Sequence, residues 1–152
     1  MNTSLGPLTV ASTEKGLASI NFGRSVPLGG IFDLGANSFY MQQIEEYFQS
    51  RRTGFDFPLD VDGTPFQIAV WRELMKIPYG QTSTYGDVAK KLGNPGAARA
   101  VGMANHVNRI PIVIPCHRVV GHDGSLTGYA GGLHVKKQLL SIEKAPTLFR
   151  TT

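Results

Sequence analysis

Cys116 is the only cysteine of the chain, and His117 follows it directly. A neighbouring imidazole can help form the thiolate, the nucleophilic form of the side chain. Pro111 and Pro115 bracket Ile112, Val113 and Ile114, so the thiol sits at the end of a short, stiff apolar run. Adjacent residues of an extended segment point oppositely, which makes one bridging water a more natural Cys–His link than direct contact. A carboxylate that oriented the histidine would complete a nucleophile, base and orienter arrangement. Glu143 could fold back to do so. It lies near the end of a helix read over residues 133–144, where the helix dipole disfavours an acid. Taken alone, Cys116-His117 fits a buried structural cysteine beside a surface histidine more readily, and Glu143 fits a solvated acid.

The elements that must position these residues have their own signals. The 133–144 helix carries Val135, Leu139, Leu140 and Ile142 on its inner side, after a Gly-rich turn region, 121–132, that contains Tyr129. Residues 82–108 read as helix, turn, helix. The first helix covers 84–92 with Asp87 in its first turn, Gly93-Asn94-Pro95 makes the turn, and the second helix covers 96–106. The second helix is rich in small residues (Ala97, Ala98, Ala100, Gly102, Ala104), which allow close packing on a helix or on a DNA backbone. Helix pairs of this kind also occur in proteins that touch no nucleic acid, and Arg99 in its first turns also fits a solvated charge. Before it, Thr64 is placed to N-cap a helix, Pro65 suits its first position, and Gln67 completes a capping box. Phe66, Val70, Trp71, Leu74 and Met75 form the expected buried stripe, and Pro78 stops the helix.

Residues 1–61 show no chemistry. Runs at 8–12 and 17–22 around Glu14-Lys15-Gly16 read as a hairpin. A Gly/Pro-bearing loop covers 24–35, helically spaced apolar residues cover 38–51, and 55–61 alternate as an extended edge or linker containing Pro58. Asp62-Gly63 breaks the chain, giving an α/β unit over 1–61 and a second domain over 62–152.

With 152 residues, 41% apolar and 17% charged, the chain suits one compact domain or two small ones sharing a core, and is too apolar for general disorder. Its longest strongly apolar stretch, 110–115, is far short of the ~20 residues of a membrane span. The first ten residues lack the basic and apolar regions of a signal peptide, so a cytoplasmic protein, nucleoid-associated when bound to DNA, is expected. A single cysteine allows neither an intramolecular disulfide nor a multi-cysteine zinc site. Residues 1–60 carry four Lys/Arg against six Asp/Glu, and the remainder eleven against five. A basic second part suits an anionic partner, or simple solubility.

Ile114-Pro115-Cys116-His117-Arg118-Val119 resembles the PCHRV signature of the O6-alkylguanine-DNA alkyltransferase family. Residues 65–121 resemble that family's C-terminal domain almost continuously, TGYAGGLHVKKQLLSIE resembles its closing loop and helix, and residues 4–9 match more weakly. The resemblance implies an α+β protein: a small ribonuclease H-like α/β roll, then a mainly helical domain with a helix-turn-helix. It implies a stoichiometric, irreversible transfer of the alkyl group from O6-alkylguanine, and from O4-alkylthymine, in double-stranded DNA to Cys116. No cofactor and no metal are implied, and the protein would act as a monomer away from membranes.

Residue by residue, the resemblance makes His117 the water-linked base, Glu143 its orienter and Asn108 the residue that fixes the local turn. Tyr85 would stand by the target phosphate and guanine N3. Arg99 would replace the extruded base, from a helix whose Ala98 and Gly102 lie against the DNA minor groove. Tyr129 would wall the pocket beside Ala130 and Gly131. The carbonyls of Cys116 and Val119 would read the guanine amino group, and the Ala130 amide would donate to O6. Ala130 stands where some members have Ser, and Arg109 where many have Pro. A non-catalytic module that binds alkylated DNA is the alternative, but such proteins lack the acceptor cysteine. A helix-turn-helix regulator with a redox-sensing cysteine is a third reading, and it gives no reason to gather Tyr85, Arg99 and Tyr129 around the thiol.

Overall fold

The computed structural model describes residues 2–23, 34–126, 128–129 and 132–145. The chain forms two units, Met1–Val61 with Arg109–Pro111, and Asp62–Asn108 with Ile112–Thr152.

In the first unit β1 (Asn2–Thr3), β2 (Gly6–Thr13) and β3 (Gly16–Phe22) make an antiparallel sheet in that order. The hairpin is where the alternation placed it, whereas the two-residue β1 is too short to leave a pattern. Gly16 has φ +142°, and a Cβ there would collide with the Pro58 carbonyl. That close approach exists because Leu17 N–H donates to Pro58 O (3.0 Å) and Asp60 N–H to Leu17 O (2.8 Å), with Leu59 bridging Leu17 in parallel. The Pro58 segment thus runs along the sheet edge, where a missing N–H is tolerated. Helix α1 (Leu34–Phe48) packs on β2 and starts and ends earlier than the 38–51 spacing. Its Ile44 and Tyr47 join Leu8, Leu17, Ile20 and Phe57 in the core. Buried Gln43 is tied to Asp56 through both ends of its amide. The loop expected at 24–35 falls, over 24–33, outside the described residues.

The second unit begins with α2 (Pro65–Leu74). Thr64 Oγ1 accepts from Gln67 N–H (3.1 Å) while Gln67 Oε1 accepts from Thr64 N–H (3.0 Å), completing the capping box. Val70, Trp71 and Leu74 are buried, but Phe66 and Met75 are 37% and 48% exposed, contrary to the expected stripe. At 3.6 residues per turn both lie roughly 90° from the centre of the buried face. The Trp71 indole N–H donates to Ala104 O (2.9 Å).

Strand β4 (Ser83–Thr84) pairs in parallel with β5 (Val119–Val120). Thr84 caps α3 (Tyr85–Lys91), accepting from Asp87 N–H at 3.0 Å. Residues 95–97 form a single 3-10 turn, so α4 (Ala98–His106) starts two residues later than expected. Proline fixes φ at the turn, and the backbone of Ala97 (φ −94°, ψ 17°) lies outside the α-helical region. α4 packs on α2 and α3. The last helix, α5 (Leu133–Ile142), buries Val135, Lys136, Leu139 and Leu140, whereas Ile142 is only half-buried.

Candidate active site

Residues 110–120 are buried throughout. The stretch folds as tight turns, and Ile112 takes φ +75°, an unusual conformation for a β-branched residue. Asn108 Nδ2 donates to Ile114 O (2.9 Å), and Cys116 N–H donates to the same carbonyl (2.7 Å). These two bonds deliver Cys116 to the start of a 3-10 turn, Cys116–Arg118, closed by Arg118 N–H to Pro115 O at 3.0 Å. The extended reading of this segment is therefore corrected. Side chains in a 3-10 turn follow one another at about 120°, so Cys116 and His117 diverge without being opposed.

His117 is fully buried, not a surface residue. Its Nε2 lies 2.6 Å from Glu143 Oε2. A carboxylate only accepts, so Nε2 carries the proton and Nδ1 of the neutral ring is an acceptor. That Nδ1 is buried and has no hydrogen-bond partner among the described residues. Burial pushes the His117 pKa down, against the upward pull of Glu143.

Glu143 caps α5 from within the protein, not from solvent. Arg118 grips both its oxygens, through Nε to Oε1 (2.8 Å) and Nη2 to Oε2 (3.0 Å), and sends Nη1 to Ile77 O (2.7 Å). Gly80 N–H adds a longer bond to Oε1 (3.4 Å). Gly80 has φ +80°, and a Cβ there would press on the Glu143 carbonyl at 3.2 Å. The Arg118 guanidinium lies 5.8 Å from the Tyr79 ring centroid. The unfavourable position of an acid at a helix C-terminus is thus offset by a buried, bidentate cation.

Around the thiol itself, burial pushes the Cys116 pKa up. Hydrogen bonding with Asn108, the charge of Lys136 and hydrogen bonding with Tyr129 pull it back. Lys136 is fully buried, donates from Nζ to Val119 O (2.6 Å) and lies 5.9 Å from the Tyr85 ring centroid. Burial lowers its pKa to about 8. Asn105, buried on α4, donates from Nδ2 to Cys116 O at 3.4 Å.

Cys116, His117, Asn108, Glu143, Tyr129 and Val119 therefore gather in one buried cluster, with half-buried Tyr85 at its side through Lys136. Tyr85 also packs against α4: a Cβ on Gly102 would sit 3.8 Å from its Cδ1. Arg99 is exposed in the first turn of α4, and Ala98 and Gly102 are half-buried. Ala130 and Gly131 lie outside the described residues. Among the described residues no group of three His, Cys, Asp or Glu could hold a metal ion.

Sequence reading missed Lys136, Asn105 and the Tyr79-Gly80 turn, and took Arg118 only as part of a signature. Lys136 and Asn105 left a usable trace: each is a polar residue on the apolar face of an amphipathic helix, beside Val135 and Leu139 or Val101 and Ala104. The cluster can remove a proton from a thiol, stabilise the resulting anion with a buried ammonium, and hold the base through a carboxylate fixed by arginine.

Comparison with known proteins gives a consistent picture. Residues 65–145 match the family described as 6-O-methylguanine DNA methyltransferase, DNA binding domain, and residues 1–61 its ribonuclease-like domain. A methylated-DNA--protein-cysteine methyltransferase of Methanosarcina acetivorans is 45% identical, over 91% of this chain and 92% of that one. The protein of the same name from Mycobacterium leprae is 42% identical, over 100% and 94%. The crystal structure of Mycobacterium tuberculosis OGT in complex with DNA superposes with a TM-score of 0.88 at 44% identity, covering 96% of this chain and 92% of that one.

Proposed function

The chain belongs to the 6-O-methylguanine DNA methyltransferase family, and from that premise we propose that it repairs DNA by moving the alkyl group of O6-alkylguanine onto Cys116. The observation that carries the residue assignment is the convergence of Asn108, Lys136 and Tyr129 on the only cysteine, beside a His117–Glu143 contact of 2.6 Å.

The thiol proton leaves to His117 Nδ1 by way of one water, and Glu143 steadies the imidazolium that forms. Sγ attacks the alkyl carbon. The S–C bond forms as the C–O6 bond breaks, and the electron pair stays on the departing guanine. A donor from Tyr85 offsets that charge, after which the base takes up a proton as ordinary guanine. The thioether has no good leaving group, so each molecule reacts once. No resident cofactor enters the balance.

A base inside the stack cannot present O6 to a buried thiol, so the nucleotide is extruded first. α4 offers exposed Arg99 to fill the gap, with small residues at Ala98 and Gly102 that let the helix approach a groove. The protein acts on double-stranded DNA as a monomer in the cytoplasm, at the nucleoid when bound. Among the described residues no helix is long and apolar enough to cross a membrane.

Intact-mass analysis after incubation with a duplex containing O6-methylguanine tests this reading. The wild type gains one methyl group, mapped to the Cys116 peptide. Cys116→Ser gains none while still binding duplex, because a serine hydroxyl is a far poorer nucleophile at neutral pH. A methyl group elsewhere, or on Cys116→Ser, overturns the assignment.

A further inference from the structure

Helix α4 buries Val101, Ala104 and Asn105, packs on α2 and α3, and turns its other side to solvent. That outer side carries Arg99, Ala100, Met103 and His106, with Val107 at the C-cap. Met103 is 63% exposed, the most exposed large apolar side chain among the described residues, and Val107 is 43% exposed. Arg99, Met103 and Val107 follow one another at four-residue spacing. Each therefore stands about one turn beyond the last, displaced by about 40° around the axis, and neighbours the next on the surface. The helix contains no Asp or Glu. One ridge thus runs from a cation to two apolar groups, and no carboxylate of α4 opposes a phosphate backbone.

Phosphates attract only the cationic end of this ridge. Met103 and Val107 need an apolar counterpart. The walls of the DNA minor groove supply one, because C–H groups of deoxyribose line them, and methionine is among the side chains that serve as apolar wedges in that groove. We propose that Met103 is a further DNA-contact residue, whose thioether packs on the deoxyribose wall of the minor groove one turn beyond Arg99, with Val107 continuing the contact. This rests on the duplex-facing placement of α4 in the reading above. Duplex affinity then has an apolar component that salt does not screen, beside the component carried by cations. A contact with sugar and not with base edges is also blind to sequence, as repair of a lesion in any context requires.

Two measurements test this. Peroxide oxidises exposed methionines to the sulfoxide, and Met75 on α2 is a second exposed methionine that serves as internal control. Saturating undamaged duplex should slow sulfoxide formation severalfold at Met103 and leave Met75 unchanged, read by peptide mass. Separately, Met103→Ala should weaken duplex binding about five- to tenfold, the loss expected when a partly covered thioether is withdrawn from contact. Its log–log salt slope should match wild type, because an apolar side chain displaces no counterion. Met103→Leu should restore most of the affinity. Equal protection of both methionines, or none at Met103, overturns the proposal, and so does a salt slope that flattens in Met103→Ala. Protection of Met103 that grows with protein concentration in the absence of DNA would make the ridge a contact between copies and overturn it too. Wild type that fails to methylate Cys116 from an O6-methylguanine duplex would sink the alkyl-transfer reading, whereas methylated Cys116 beside an unprotected Met103 removes this contact alone.

Discussion

Lys136 shows how one side chain can serve reactivity at a cost to stability. Its ammonium lies in a protein interior that disfavours charge, which lowers its pKa from 10.5 to about 8, and the Cys116 anion pulls in the other direction. Because the folded pKa lies below the unfolded one, the folded state binds fewer protons between about pH 8 and 10.5. Stability therefore rises with pH through that window, and below it the full burial penalty is present. Lys136→Met removes this dependence. The difference in Tm between wild type and Lys136→Met should move in favour of wild type from pH 8 to pH 9, and a difference that stays constant would refute the buried ammonium. Transfer should suffer in the opposite sense. Removing the neighbouring cation takes away one of the influences that hold the Cys116 thiol pKa down, so the variant should react at least roughly tenfold more slowly near neutrality.

At the scale of elements, α4 carries an exposed arginine and a buried asparagine on different sides. Arg99 is exposed and Asn105 buried, because six residues along a helix turn the side chain through about 240°. Arg99→Ala should slow repair of duplex DNA by roughly one to two orders of magnitude and leave reaction with free O6-benzylguanine nearly unchanged, since a free base has no stack to leave. Glu143→Gln supplies the contrast and should slow both alike, because it disturbs His117. Equal loss on both substrates for Arg99→Ala would put that arginine in the chemical step or in the fold. The elements themselves were largely legible. Thr64, Pro65 and Gln67 announce α2, and Thr84 with Asp87 announces α3, because capping is local chemistry written in consecutive residues. The centre of the site was legible through the Cys116 motif. What the sequence concealed depends on contacts between distant segments: the left-handed Ile112 and the grip of Arg118 and Gly80 on Glu143, whereas Lys136 and Asn105 left a trace as polar residues where periodicity asks for apolar ones.

For the whole molecule, charge is divided along the chain, and the second part holds eleven of the fifteen Lys/Arg. Two of those, Arg118 and Lys136, are buried, and Lys76 is paired with Glu73 at 2.8 Å. The cations left for phosphate are fewer than composition suggests. Duplex affinity should therefore fall with salt with a log–log slope of about −3 to −4, corresponding to on the order of three to five phosphate contacts. A flat titration, or strong preference for one undamaged sequence, would favour a sequence-specific regulator over a repair protein. The molecule also carries its own optical reporter. Trp71 is the only tryptophan, is 4% exposed, and donates its indole N–H to the backbone of α4 at Ala104. Its fluorescence arises from one buried ring bonded to the helix that bears both Arg99 and Asn105. The emission wavelength and lifetime thus report the state of that helix in solution, without an attached dye.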